Sequence, residues 1–241
     1  MTKAAEATTE VAVVNTGTAV AIPSRSERAA ALAARVKPVS NMIRIADNGT
    51  GFNIPGLGET EGPIDIVILD FVAKNVYYDP NVPWDPKKIT PPLCAAIGFE
   101  VNDALVPFAN GNDVQVDEGE GCKDCTMNQW GSKGEGKACQ NRKLVAVLPA
   151  DATADTDIMV LDVSATGIKG FDKIIAQLST TFGKEPHNFT ITISPVQAGK
   201  SKAKTFGFSA PKVIEDAAQV AFLDSRIDEA SNLLAQPVRF D

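Results

Sequence analysis

The chain has 241 residues, 44% hydrophobic and 22% charged, with a net charge of −7. That is enough apolar material for a real core in one large domain or two small ones. No run of about 18 apolar residues exists, which excludes a helix that spans a membrane. The start lacks the basic-then-apolar block of a secretory signal, so a cytoplasmic protein is expected.

Residues 1–38 are rich in Ala, Thr and Ser and end at Pro38. They read as a flexible arm with a short helix over Ser26–Val36, and Arg25, Arg28, Arg35 and Lys37 give it a means of reaching phosphates. The body opens with "NMIRIA", a short strand, followed by a glycine-rich turn region from Asn48 to Gly62. "IDIVILDFVAKNVYY" is apolar on both faces and β-branched, the pattern of a long central strand. Pro80, Pro83, Pro86, Pro91 and Pro92 break it, and "LCAAIGFE" reads as another short strand.

A cysteine- and glycine-rich stretch follows, and then two apolar strands, "KLVAVLP" and "DIMVLDVS", separated by an Asp/Thr turn. Ile168, Phe171, Ile174, Ile175, Leu178 and Phe182 recur at helical spacing until Gly183 and Pro186 stop the helix. "HNFTITIS" alternates as a half-buried strand, "AKTFGFSA" makes a last strand, and a C-terminal helix is expected over Val213–Ala235. Phe71, Phe99, Phe171, Phe182 and Phe189 are expected in the core.

This order predicts an α+β, mainly β fold: an OB-like antiparallel barrel whose helix falls between its third and fourth strands. The expected organisation is an arm over 1–38, an OB-like domain over 39–212 with an insertion over 79–142, and a C-terminal helix with an acidic tail over 213–241. A different β-rich sandwich with helices is the competing fold.

The four cysteines can be accounted for together: Cys94, then Cys122 and Cys125 as C-x-x-C, then Cys139. In a cytosolic chain such spacing suggests metal before disulfide. A C-x-x-C turn aims two thiolates at one point, and two more complete a tetrahedral Zn²⁺. A loop rich in Gly, Asn and charge buries too little apolar area to order itself, and metal binding supplies that cohesion. Four thiolates would close the coordination sphere, so the zinc would be structural. A thiol–disulfide site lacks its strand-to-helix setting here, and unliganded thiols are the plain alternative. "GSKGEGK" is followed by Ala138, with no hydroxyl for Mg²⁺, and it leads into a strand, so it is not a Walker loop.

"CKDCTMNQWGSKGEGKACQNRKLVAVLP" resembles a motif of bacteriophage early-region proteins: C-x-x-C, an N-x-W-G-S core, then G-K-x-C and a basic pair entering a strand. "PPLC" at Pro91–Cys94 is similar to their upstream cysteine. "DVSATGIKGFDKIIAQLS" and "FTITISPVQAGKSKAKTFGFSAP" resemble their helix and final strand pair, so the resemblance runs from about Asp65 to Pro211. Thr126 stands where a proline commonly follows the C-x-x-C. The resemblance implies a single-stranded DNA-binding protein of phage replication, recombination or transcription, working in the cytoplasm of an infected bacterium. Replication, recombination or RNA polymerase proteins would be its partners, and a homo-oligomer is compatible with it. A protein-binding regulator or RNA polymerase cofactor, docking through the zinc loop, is the alternative.

Single-strand binders combine a basic groove with exposed aromatics. Trp130, Lys133, Lys137, Arg142 and Lys143 bring both together in one loop, and Tyr77 and Trp84 add rings nearby in sequence. Lys202, Lys204 and Phe206 form a second such group. The acidic run from Glu100 to Glu120 opposes this reading locally. With His187 as its one histidine and no hydrolase or zinc-protease motif, the chain is not expected to be an enzyme. Asp65, Asp70 and Asp162 on strands are the residual carboxylate candidates.

Overall fold

The structure, a computed structural model, describes residues 41–83, 90–99, 101–105, 121–199 and 203–235. The expected N-terminal arm and its helix, Trp84, Lys202 and the end of the acidic tail lie outside the described residues.

The long apolar run forms β4 (Ile64–Tyr77), and the sheet is assembled around it. β6 (Gln140–Pro149) pairs with it antiparallel from Ile66 to Val76. Its other edge is shared: β8 (Phe189–Gln197) covers Ile64–Val67, and β5 (Cys94–Gly98) covers Ala73–Tyr77. β7 (Met159–Val163) extends the sheet beyond β6, and β1 (Met42–Ile45) joins β7 in parallel. β2 (Gly51–Ile54) and β3 (Gly58–Glu61) form a hairpin on one end, and β9 (Lys204–Val213) closes the other. The path β3-β2-β1-β7-β6-β4-β8-β9 is open, a curled half-barrel of nine strands counting β5.

Why both faces of β4 are apolar is now clear, because both are covered. Ile66, Ile68, Val145, Val147, Leu161 and Val163 face α1 (Ala165–Gln177), which contributes Phe171. Val67, Leu69, Leu144, Ala146, Leu148 and Val160 face the helices α2 (Ala217–Asp224) and α3 (Ile227–Leu234), which contribute Leu223, Ala230 and Leu234. Strand side chains alternate between faces, so the two hydrophobic sets interleave along one strand. A bulge between Ile68 and Asp70 shifts the register midway. Each fully buried aliphatic or aromatic side chain contributes about 1.5–3 kcal/mol.

Several expectations are corrected. The region Asn48–Gly62 is not all turn: it holds β2 and β3. The C-terminal helix is two helices broken at Ser225–Arg226, and β9 runs on to Val213 before them. Phe99 is 64% exposed and Phe182 is exposed, so neither is core, whereas Phe171 and Phe189 are fully buried. Phe99 lies just beyond the end of β5. Phe182 ends the last turn after α1, before Gly183 at φ 61°.

Candidate nucleic-acid interface and cysteine centre

The C-terminal end of β4 gathers the cysteines. Cys94 pairs directly with Tyr77. On the other side of β4, Gln140 pairs with Val76, and Cys139 immediately precedes β6 there. Cys94 and Cys139 therefore lie at the same end of β4, one in β5 and one at the entry to β6. Cys122 reaches the same place from the loop and buries its side chain with Ala73, Ala96 and Leu105. Its N–H donates to Leu105 O at 2.6 Å, and Cys139 N–H donates to Met127 O at 2.8 Å.

The thiols sense one another. Burial pushes Cys139 up to about 12, and the thiols of Cys122, Cys125 and Cys94 push in the same direction, against a downward pull from Lys137. Cys94 is raised by burial, then by Cys122 and Cys125. Nearby sites that disfavour one another's charge are what a bound cation would relieve. None of the four is joined in a disulfide.

A hydrogen-bond network of asparagines holds the loop to the sheet. Asn128, 2% exposed, donates from Nδ2 to Cys122 O at 2.7 Å. Its Oδ1 accepts from Asn141 Nδ2 at 2.9 Å and from Lys137 Nζ at 3.4 Å. Asn141 also donates to Asn75 Oδ1 at 2.6 Å, and Asn75, 1% exposed, donates to Asn102 O at 2.8 Å. Two strands and two loop segments are thus tied through buried amides, where an unmade bond is costly. None of these asparagines was singled out from the sequence. The signal was the polar pair "KN" inside the apolar run of β4.

From this base the loop projects a tight hairpin. Gly131 N–H and Lys133 N–H both donate to Gly136 O, and Gly136 N–H donates to Lys133 O. Gly131 (φ 91°) and Gly134 (φ 58°) take left-handed conformations that the hairpin requires and that side chains resist. Ser132 clasps it: its hydroxyl donates to Gln129 O (2.7 Å) and lies 3.0 Å from Met127 O, and its oxygen accepts Ala138 N–H (2.8 Å). Trp130 sits in this clasp 77% exposed, and Lys133 is exposed beside it. The stretch leads into β6 rather than into a helix.

The other candidates divide. Tyr77 is half-buried at the end of β4, opposite Cys94. Arg142 Nε is paired with Asp162 Oδ1 at 2.6 Å, and that carboxylate also holds the buried Lys74 at 3.0 Å. Lys143 Nζ pairs with Asp172 at 2.6 Å and lies over the Phe71 and Phe171 rings. Phe206 is 6% exposed and stacks on Phe52, so its ring belongs to the core and offers no face to a base. Lys204 pairs with Gln197, beyond the N-terminal end of β4. That is the opposite end of the sheet from Trp130, so Lys204 and the Trp130 hairpin do not form one groove. Asp65 accepts a hydrogen bond from Thr192 and Asp70 from Ser231, which accounts for both carboxylates locally.

The donor chemistry of four neighbouring thiols fits a soft, zinc-type ion. Among the described residues, however, no three His, Cys, Asp or Glu side chains already stand in a metal-holding arrangement. Among those residues, too, no helix is long and apolar enough to cross a membrane. Comparison with family models, with curated proteins and with solved structures finds no match.

Proposed function

We propose that this chain binds single-stranded nucleic acid, DNA in the first place, through the Trp130 hairpin, without sequence preference. The observation that carries the reading is a large aromatic side chain 77% exposed on a loop that is otherwise rigidly clasped. Leaving a tryptophan in water forgoes its burial, and ordering its loop costs entropy. A stacking platform gives that expense a use, at about 1–3 kcal/mol per base. Lys133, and Lys123 on the C-x-x-C turn, are exposed basic neighbours for phosphates. Cys94, Cys122, Cys125 and Cys139 would hold a structural Zn²⁺, which supplies cohesion to the loop and no chemistry. The curled sheet, with α1 between β7 and β8, supports an OB-like relationship.

One observation favours the regulator reading. Arg142 and Lys143 already serve carboxylates within the chain, so fewer cations are open to phosphate than the sequence suggests. The test is an electrophoretic shift of labelled oligo-dT against duplex over a salt series. Two or three contacts predict a log–log slope of about −1.4 to −2.1 on single strands. No shift, with retained capture of a replication or RNA polymerase protein, would favour the docking regulator.

A further inference from the structure

The opposite end of β4, about 40 Å of strand away from the Trp130 hairpin, contains a cavity of about 330 Å³. Its walls come from five strands or their ends: Ile43 of β1, Ile54 of β2, Ile64 and Ile66 of β4, Pro149 of β6 and Met159 of β7. Ile43, Ile54, Ile66 and Met159 are buried core residues, so the cavity is an opening into the main core rather than a surface dimple. Leu57 stands at its mouth, 71% exposed, in the turn between β2 and β3.

The charge around it has one sign. Asp151 is the charged side chain at its rim, and the lining contains no lysine or arginine. Asp65 also lines it, but its carboxylate lies on the opposite face of β4 from Ile64 and Ile66, where it accepts from Thr192. Asp155 and Asp157 follow Asp151 on the same exposed turn. Arg44 lines a separate notch that shares only Ile54 with this cavity. Small-molecule sites fall between about 300 and 1,000 Å³, mostly apolar with a few placed polar groups, and this cavity lies at the small end of that range.

We propose that this cavity is a second binding site, for a compact apolar ligand carrying a cationic amine, with its body among Ile43, Ile54, Ile66 and Met159. The ammonium faces Asp151 at the mouth, with Asp155 and Asp157 on the same turn. Anionic ligands, nucleotides included, are repelled, which separates this site from any strand-binding role of the hairpin.

The test uses the full chain and methyl-resolved NMR with 4-phenylbutylamine against 4-phenylbutyrate, each to about 1 mM. The amine is expected to give saturable shifts of the Ile43, Ile54, Ile66 and Met159 methyls, and the carboxylate none. Leu57→Lys, at an exposed position that leaves the core intact, is expected to weaken the amine about tenfold. No amine-induced shift, equal shifts with the carboxylate, or an unchanged amine affinity in Leu57→Lys would each overturn the site.

Discussion

Replacing Asn128 by alanine tests whether the asparagine network, and not the loop's own contacts, fixes the hairpin. The substitution removes the donor to Cys122 O at 2.7 Å and the acceptor of Asn141 Nδ2 at 2.9 Å. At about 1 kcal/mol each, with some added penalty for the polar groups left in a buried place, this amounts to about 2–4 kcal/mol. The Lys137 contact adds little, because 3.4 Å is long and the lysine is half-exposed. The loss is local, so it should appear as easier opening of 121–139 rather than global unfolding. Amide hydrogen exchange reads this directly: Cys122 and Cys139 N–H, bonded to Leu105 O and Met127 O, should exchange about 30- to 1,000-fold faster. Val145 and Leu161, in the fully buried sheet, should keep their rates. Unchanged loop exchange, or equal acceleration in loop and sheet, would refute the reasoning.

Three further outcomes follow from the same geometry. Asp162→Asn removes the charge that Lys74 and Arg142 share; because the carboxylate keeps some solvent contact, the expected loss is about 2–3 kcal/mol, below the figure for a fully buried pair, as read by denaturant unfolding. Burial raises the Tyr78 phenol, Arg142 lowers it and Asp162 raises it. A raised phenol binds its proton more tightly in the folded state, so its stabilising contribution is present below about pH 10 and is lost as pH rises through the raised value. Ultraviolet titration should therefore show Tyr78 ionising earlier in Asp162→Asn and later in Arg142→Leu. Elemental analysis should find about one zinc per chain, lost in Cys139→Ser; purified protein without metal would remove the ion from the account.

The fold was legible where burial is two-sided or periodic. The unbroken apolar run of β4, the alternating β8 and the 3.6-residue stripe of α1 each carry their own signal. The β2–β3 hairpin did not, because four-residue strands separated by glycines look like loop until a neighbour pairs with them. Phe99 and Phe182 misled because residue type, not position, placed them in the core, and an element's end can leave a ring in water. At the site, spacing groups the four cysteines; the structure sets Cys94 in β5 and Cys139 just before β6, at the same end of β4. What spacing cannot give is pairing of charges distant in sequence. Arg142 and Lys143 read as open cations until Asp162 and Asp172 are seen across from them.

The central claim, that unpaired strands stack on Trp130, is tested most directly by titrating the protein with oligo-dT while following tryptophan fluorescence in wild type and Trp130→Phe. The account predicts saturable quenching in the wild type that is lost in Trp130→Phe, together with tighter binding than Trp130→Ala by about 1–3 kcal/mol. Quenching that persists unchanged in Trp130→Phe, or an affinity unaltered in Trp130→Ala, would contradict it.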